Sequence, residues 1–182
     1  MKPFDLTETC VSSETLIQGN LLHVKRDSVR LPNGNLSQRE YVMHPGAVLI
    51  IPLLPDGSLV MERQFRYPLH QTFIEFPAGK IDAGEDPLET GKRELLEETG
   101  YTADNWQFLT LLHPCIGYSN EVIHIFLAHD LTLGISKLDE DEHLEIFTMR
   151  FSEAMEAMSS GNITDGKTMI ALFLAQKYLG KK

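Results

Sequence analysis

The sequence predicts an α/β or α+β fold in which a sheet is covered by helices. Two kinds of pattern support this prediction. Short runs of apolar and β-branched residues, bounded by turn residues, recur along the first two thirds of the chain, as strands do. Three segments, residues 87–99, 152–159 and 165–179, have the spacing or the end signals of helices. Because strands and helices are interspersed, we expect them to pack as layers.

The composition is that of an ordinary globular protein of 182 residues, which is long enough for one sizeable core. Hydrophobic residues make up 42% of the chain and charged residues 23%. The net charge of −10 argues against a nucleic-acid partner, whose binding surface would be basic. A nucleotide substrate remains possible, because a bound metal ion can reverse the local sign of the electric field.

The N-terminal residues, the apolar runs and the cysteines predict a cytoplasmic protein. The N-terminal residues have no signal-peptide pattern. The longest apolar run, residues 47–54, is too short to cross a bilayer, so we expect no membrane partner. Cys10 and Cys115 are far apart and do not resemble a disulfide framework, which indicates a reducing compartment.

Residues 1–45 are predicted to form a small β-rich piece, and residues 46–182 the main domain. The strand segments of the small piece are residues 15–18, 21–31 and 36–43. Residues 32–34, Pro-Asn-Gly, predict a tight turn between the last two of these strands. Since the piece is too small to bury its own core, we expect it to lie on the rest of the chain or on a partner subunit.

The main domain opens with a buried strand over residues 47–54 and a turn over residues 55–57. The further strands predicted are residues 58–66, 71–76, 106–113 and 122–128. Ser152 is a candidate N-cap for the helix over residues 152–159. The last helix, residues 165–179, has an apolar face that can cover the sheet.

The most informative segment is the helix predicted over residues 87–99. Asp86 suits the N-cap, Pro87 the first turn, and Gly100 the C-terminal end. At about 100° per residue, the helix separates an apolar face from an acidic one. The residues of the apolar face are Leu88, Leu95 and Thr99. The residues of the acidic face are Glu94, Glu97 and Glu98.

Two interpretations of the acidic face are open from composition. Crowded carboxylates repel each other unless a cation neutralises them, and hard divalent cations such as magnesium prefer carboxylate oxygens. A magnesium site on this helix would suit a phosphate-containing substrate. The alternative is a solvated amphipathic helix with an acidic bias, which composition alone favours equally.

The order of the residues separates these interpretations. The segment fits the pattern Gly-x5-Glu-x7-Arg-Glu-apolar-x-Glu-Glu-x-Gly-apolar. The residues at the fixed and apolar positions are Gly79, Glu85, Arg93, Glu94, Leu95, Glu97, Glu98, Gly100 and Tyr101. A chance match at average residue usage is on the order of 10⁻⁸ per start site. The pattern resembles the box of the Nudix hydrolases.

The resemblance implies an α/β/α sandwich around a mixed sheet. It implies hydrolysis of a nucleoside diphosphate linked to another group, by attack of water on phosphorus, with Mg²⁺ or Mn²⁺. By the motif, Glu94 and Glu98 would be the principal metal ligands, with Glu97 close behind. Ala78 would contribute its carbonyl oxygen to the metal.

The resemblance also implies which residues act in catalysis. Glu97, Glu98 and Arg93 would belong to the catalytic set, and Arg93 and Glu85 would orient the carboxylates. One departure from the family pattern is Gly91, which stands where related helices commonly carry alanine and which costs the helix roughly 1 kcal/mol. Tyr101 fills an apolar position that is usually aliphatic. Neither departure touches a ligand position.

Beyond the box, the chain is similar to ADP-ribose pyrophosphatases over about residues 39–170. The matching stretches are residues 64–66, 73–79, 114, 117–120 and 139–142. By this similarity, Arg66 would bind a phosphate or the terminal ribose.

Four further residues follow from the same similarity. Arg39 and Glu40 would touch the nucleoside side of the substrate, and the N-terminal β-piece would exchange with a second subunit in a homodimer. Glu142 would activate or orient the attacking water. Glu140 is the alternative base, since the alignment of this loop could slip by two residues.

The leading hypothesis is magnesium-dependent hydrolysis of ADP-ribose to AMP and ribose 5-phosphate. The first alternative is a hydrolase of another nucleoside diphosphate sugar, of the GDP-mannose or ADP-glucose type. A more distant alternative is a non-catalytic nucleotide sensor on a Nudix scaffold. All the carboxylates of the box are present in the sequence, which favours an enzyme.

Overall fold

A computed structural model describes residues 4–135 and 143–179 of the chain. The chain divides into two compact units. The first unit comprises Met1–His44 and Cys115–Glu121, and the second comprises Pro45–Pro114 and Val122–Lys182. Residues 115–121 therefore group with the N-terminal segment, although they lie far along the chain. The functional division expected at residue 45 stays a prediction.

The first unit contains a three-stranded antiparallel sheet. In spatial order its strands are β1 (Thr9–Gln18), β2 (His23–Arg30) and β3 (Leu36–Met43). The predicted strand over residues 36–43 is confirmed, whereas β1 starts six residues before the predicted strand at residue 15. The predicted tight turn is also present: the Leu31 N–H donates to the Asn35 carbonyl at 2.8 Å, and Gly34 has a φ of +87° that favours glycine.

Residues 115–121 are tied to the end of β3. The Val42 N–H donates to the Tyr118 carbonyl at 2.8 Å, and Val42 forms a parallel bridge with Ser119. The His44 N–H donates to the Asn120 side-chain oxygen at 2.7 Å. These bonds explain why a distant segment belongs to the first unit.

The second unit contains a mixed sheet with helices on both faces. Its strands are β4 (Ala47–Leu53), β5 (Ser58–Arg66), β6 (Gln71–Glu75), β7 (Ala78–Lys80), β8 (Tyr101–Leu112), β9 (Ile123–Leu133) and β10 (Leu144–Arg150). Its helices are α1 (Pro87–Thr99), α2 (Phe151–Ser159) and α3 (Gly166–Leu179), with a 3-10 turn at Tyr67–Leu69. The order is β10-β5-β4-β9-β8, with β6 beside β5 and β7 beside β4. Because β4 and β9 are parallel while the other pairs are antiparallel, the predicted mixed sheet is confirmed.

The alternation of side chains along β4 assigns the helices to the two faces. Leu49, Ile51 and Leu53 pack in the apolar cluster that includes residues of α2 and α3. Val48 and Ile50, which point the other way, pack in a second cluster that includes Leu95 of α1. Both faces of β4 are therefore buried, and the predicted sandwich of helices around the sheet is present.

The start of α2 corrects one prediction. Ser152 is not the N-cap, because the helix already includes Phe151 and Arg150 occupies the cap position. The Glu153 carboxylate, in the first turn of the helix, accepts a hydrogen bond from the Arg150 N–H at 3.0 Å. This bond, and not a serine side chain, caps the start of α2.

Two strands, β7 and β10, were not predicted from the sequence. β7 has only three residues and a central glycine, so it carries no strand signal of its own. In the described ranges, no helix is long and apolar enough to cross a membrane.

Candidate active site

Helix α1 forms as its end signals predict. The Asp86 side chain accepts a hydrogen bond from the Leu88 N–H at 2.9 Å, which satisfies a donor that the helix itself leaves open. Gly100 ends the helix with a φ of +75°, in the left-handed region. Leu95 is completely buried on the apolar face. The opposite face is thereby free to present the carboxylates.

Close packing explains the glycine inside this helix. A Cβ atom built on Gly91 would lie 3.3 Å from a side-chain carbon of Trp106 and 3.3 Å from one of Val48. These separations are tighter than ordinary van der Waals contact, so alanine would have to displace a ring or a strand residue. The departure from the family pattern at this position is therefore a feature of the core.

Arg93 is the centre of the acidic face. Its Nε and Nη2 atoms donate to the two carboxylate oxygens of Glu85 at 3.1 and 3.0 Å. Its Nη1 atom donates to Glu94 at 2.9 Å and to Glu97 at 3.0 Å. We call these four residues the α1 cluster. One guanidinium thus serves three carboxylates, which leaves two negative charges within the cluster.

The electrostatics of the α1 cluster follow from these bonds. The hydrogen bonds from Arg93 and then from the Thr90 hydroxyl, at 2.8 Å, lower the pKa of Glu85 from 4.5 to about 2. The Glu85 bond in turn raises the pKa of Arg93, with further contributions from Glu97 and Glu94. Both partners therefore stay charged over the whole physiological range.

Glu98 joins α1 to strand β7. Its side chain is 5% exposed, and its Oε2 atom accepts a hydrogen bond from the Ala78 N–H at 3.1 Å. Ala78 belongs to β7, which is paired with β4. The backbone of residue 78 is therefore fixed on one side by the sheet and on the other by the helix.

Gly79 leaves the space that the Glu94 carboxylate occupies. A Cβ atom on Gly79 would lie 1.9 Å from the carboxyl carbon and 1.9 Å from one oxygen of Glu94. Any other residue would displace this carboxylate. Glu98 is thus bonded to Ala78, and Glu94 lies against the next residue, Gly79, while the binding of a metal by these residues stays a prediction.

The donor atoms here fit a divalent cation by their chemistry. They are carboxylate oxygens, which hard cations prefer, and the surplus negative charge of the α1 cluster would be relieved by an added cation. Among residues 4–135 and 143–179, no three His, Cys, Asp or Glu side chains are grouped so that they could hold a metal ion. The Glu94 and Glu97 carboxylates are instead both bonded to the Nη1 atom of Arg93.

A second charged cluster surrounds Glu75 and was missed by the sequence analysis. Arg66 donates to the two Glu75 oxygens through Nε and Nη2, each at 2.8 Å. Lys167 bonds to the same carboxylate and also to Asp165, the latter at 2.9 Å. We call these four residues the Glu75 cluster. A signal was available in the sequence, since Glu75 is a charged residue between the apolar Ile74 and Phe76.

The Glu75 cluster is charged despite its burial. Burial raises the pKa of Glu75, but the Arg66 and Lys167 interactions outweigh it and hold the pKa below its ordinary value. The Glu75 hydrogen bond raises the pKa of Arg66. Arg66, a predicted substrate-binding residue, is therefore a permanent cation.

The other predicted substrate-binding residues, Arg39 and Glu40, are not part of either cluster. Arg39 and Glu40 lie on β3 in the first unit, where Arg39 donates to Glu8 at 2.9 and 2.6 Å and Glu40 accepts from Arg26 at 2.8 and 2.6 Å. The two candidate bases, at positions 140 and 142, lie outside the described residues.

A family model described as the NUDIX domain matches residues 43–172. The chain belongs to the Nudix family. A second model, described as the nucleoside diphosphate sugar hydrolase N-terminal domain, matches residues 8–42. The predicted family is confirmed, and with it the prediction of a Nudix pyrophosphohydrolase. The Nudix match includes every residue of the α1 and Glu75 clusters.

Several proteins resemble this Nudix chain over nearly its whole length. It is 39% identical over 169 residues to the ADP-ribose pyrophosphatase of Bacillus subtilis (strain 168), covering 92% of this chain and 91% of that one. It is 38% identical over 167 residues to the methanol dehydrogenase activator of Bacillus methanolicus, covering 91% and 90%. A crystal structure of an ADP compounds hydrolase matches with a TM-score of 0.88 at 26% identity, covering 100% of this chain and 98% of that one. The predicted Nudix fold is confirmed.

Proposed function

We propose that this Nudix protein hydrolyses the pyrophosphate bond of ADP-ribose, giving AMP and ribose 5-phosphate, with Mg²⁺ or Mn²⁺ as the divalent ion. The observation that carries the proposal is the surplus of carboxylates around Arg93 of α1, with Glu94 packed against Gly79 of β7, within a Nudix domain. The similarity to an ADP-ribose pyrophosphatase at 39% identity supports this substrate.

The proposed ligands of the divalent ion are Glu94, Glu98 and the Ala78 carbonyl, with Glu97 beside them. A bound divalent ion would offset the charge that develops on the pyrophosphate and lower the pKa of the attacking water. Arg93 holds Glu85, Glu94 and Glu97 beside the candidate ion site, and Glu94 and Glu97 would exchange their bonds to Arg93 for bonds to the ion when it binds.

The protein's own groups account for the remaining steps of the proposed reaction. Arg66 binds a phosphate or the terminal ribose. Glu142, or Glu140 in its place, takes a proton from the attacking water as its oxygen bonds to phosphorus. The bond between that phosphorus and the bridging oxygen breaks, and the bridging oxygen leaves with the other phosphate.

The first unit is proposed to serve substrate binding and assembly. Its sequence matches the N-terminal domain of nucleoside diphosphate sugar hydrolases, and β1 is exposed along its entire length. We propose that it pairs with a second copy in a homodimer in the cytoplasm, and that Arg39 and Glu40 contact the nucleoside side of the substrate.

A second candidate is the hydrolysis of another nucleoside diphosphate sugar, of the GDP-mannose or ADP-glucose type. The match of residues 8–42 to the broader class of nucleoside diphosphate sugar hydrolases favours this candidate. The two candidates share the same ion site and differ only in the groups that surround the nucleoside and the sugar.

The experiment is to incubate the purified protein with ADP-ribose, GDP-mannose and ADP-glucose, each with Mg²⁺, with Mn²⁺ and with excess chelator, and to separate the products. We expect AMP and ribose 5-phosphate to form fastest, and only with a divalent ion. Faster cleavage of either nucleotide sugar would favour the second candidate. Binding of these compounds without cleavage of any of them would favour a nucleotide sensor and contradict the proposal.

A further inference from the structure

The Glu75 carboxylate is one of the most deeply buried charges in the second unit. It is 2% exposed, and it lies at the last position of β6. A buried charge is costly unless hydrogen bonds and opposite charges surround it. Glu75 meets this requirement with Arg66 on the neighbouring strand β5 and with Lys167 on α3.

Glu75 binds the Arg66 guanidinium along one edge. Its Nε and Nη2 atoms both point at Glu75, which is the planar two-bond geometry that fixes a guanidinium in orientation as well as position. Its Nη1 atom makes no hydrogen bond to residues 4–135 or 143–179. The Arg66 side chain as a whole is 41% exposed, so a ligand can reach it from solvent.

The other side of Glu75 is anchored to the first turn of α3. Lys167 lies between Glu75 and Asp165, and the Asp165 carboxylate also caps the helix by accepting from the Thr168 N–H at 2.9 Å. The next residue along, Phe76, donates its N–H to the Thr168 hydroxyl at 3.2 Å. The end of β6 is therefore bonded to α3 at two consecutive residues.

The same short segment continues to the carboxylates of α1. Two residues after Phe76, the Ala78 N–H donates to Glu98. The segment from Glu75 to Ala78 is thus held by α3 at one end and by α1 at the other. Glu75, at the start of this segment, bonds to the Arg66 guanidinium, and Ala78, at its end, bonds to Glu98 of the candidate ion site.

We propose that Glu75 is a positioning residue that fixes Arg66 for binding the terminal phosphate or ribose of the substrate, at a set distance from the candidate ion site. This inference rests on the proposed function, because it assigns Arg66 to substrate binding. Glu75 holds one edge of the guanidinium, and the substrate takes the other edge. Lys167 forms a second ion pair with Glu75, and this pair helps to keep the carboxylate in its buried position.

A positioning role of Glu75 differs from a purely stabilising one in its effect on the kinetics. Buried ion pairs are often no more stabilising than apolar residues of the same size, so stability alone is a weak reason for this network. A positioning role predicts a specific kinetic signature. If Arg66 contacts the substrate equally in the ground state and in the transition state, disturbing its orientation raises KM and leaves kcat nearly unchanged.

The test compares four proteins: the wild type, Glu75→Gln, Arg66→Met, and the double variant. KM and kcat for ADP-ribose are measured with Mg²⁺. We expect Glu75→Gln to raise KM by about ten- to a hundred-fold, the size of a lost charge-assisted hydrogen bond, with kcat changed by only a few-fold. In the Arg66→Met background, Glu75→Gln should add little, because Glu75 acts through Arg66. An equal rise of KM in both backgrounds would overturn the inference.

Glu145→Gln is the matched control. It removes the same charge by the same substitution from an ion pair with Arg63, another arginine of β5, at 3.0 Å. We expect this variant to have the wild-type KM. Thermal unfolding by circular dichroism verifies that each variant is folded at the assay temperature.

If Glu75→Gln does not fold, Glu75→Asp takes its place, since it keeps the charge but withdraws the oxygens from Arg66. A folded Glu75→Asp variant with the wild-type KM would contradict the inference. These results are separate from a failure of the proposed function. A wild-type protein that does not hydrolyse ADP-ribose refutes both proposals, whereas an active wild type with an unaffected Glu75 variant refutes only this one.

Discussion

The two charged clusters of the second unit have opposite electrostatic designs. The α1 cluster sets three carboxylates against one guanidinium, with Arg93 bonded to Glu85, Glu94 and Glu97. The Glu75 cluster sets two carboxylates against two cations, and Glu75 is bonded to both cations. One cluster has a surplus of negative charge and the other is balanced. A balanced cluster needs no further ion, whereas a surplus of carboxylates is relieved by one.

The difference in burial lies between Glu75 and the carboxylates of the α1 cluster. The Glu75 side chain is 2% exposed, whereas the exposed fraction is 13% for Glu94, 21% for Glu85 and 41% for Glu97. A surplus charge in the core would be very costly, because nothing would replace its hydration. At an accessible helix face, water and dissolved cations reduce that cost. This comparison agrees with the two proposals, that the α1 cluster binds a divalent ion and that the Glu75 cluster holds the Arg66 side chain in place.

The largest expected effect comes from Glu98→Gln. If Glu98 binds the catalytic ion, this variant should lower kcat roughly 10²- to 10³-fold, since electrostatic stabilisation of the transition state is lost. KM should change much less, in contrast to the KM effect expected for Glu75→Gln. The measurement is steady-state hydrolysis of ADP-ribose over a range of Mg²⁺ concentrations.

The control for this prediction is Glu89→Gln on the same helix. Glu89 pairs with Lys92 at 2.7 Å on the exposed side of α1 and is not part of the α1 cluster. It should keep the wild-type kcat. If Glu98→Gln hydrolyses ADP-ribose at the parental rate, the proposed ion site is wrong and the contrast between the clusters loses its functional meaning.

A smaller effect is expected from Gly79→Ala. The added methyl group would overlap the Glu94 carboxylate, with 1.9 Å between the new Cβ and the carboxyl carbon. The overlapping atoms are the far end of a flexible side chain, so the carboxylate should move and the free energy of unfolding should change little. Displacement of a proposed ion ligand should lower kcat roughly ten- to a hundred-fold.

The measurement is kcat together with thermal unfolding, in the presence and absence of Mg²⁺. Gly117→Ala is the control, because a Cβ at Gly117 would meet nothing within 4 Å. A Gly79→Ala variant with unchanged kcat would mean that the position of the Glu94 carboxylate does not matter for turnover.

The difference between the clusters also explains what the sequence could predict. The α1 cluster lies within 13 residues of sequence, and its helix has a cap at Asp86 and an end at Gly100, so local rules and the family motif place its members together. The Glu75 cluster joins β5, β6 and the first turn of α3. No local rule relates Arg66 to Lys167, which are far apart in the sequence and meet only because the sheet and α3 pack together.

The smallest expected effect concerns the pH dependence of stability. The Arg93 and Thr90 hydrogen bonds lower the pKa of Glu85 from 4.5 to about 2. A group whose pKa is lower in the folded state stabilises the fold above its unfolded pKa, and this contribution disappears as the pH falls toward the folded value. Glu85→Gln should therefore be less stable than the wild type at pH 7, and the difference should shrink progressively between about pH 4.5 and pH 2.

Urea unfolding at closely spaced pH values measures this difference in the free energy of unfolding, with Glu89→Gln as the control. A difference that stays constant down to pH 2.5 would show that the Glu85 charge is not what Arg93 stabilises. That result would leave the α1 cluster with a smaller effective charge surplus, and it would weaken the electrostatic reason for an ion at this face.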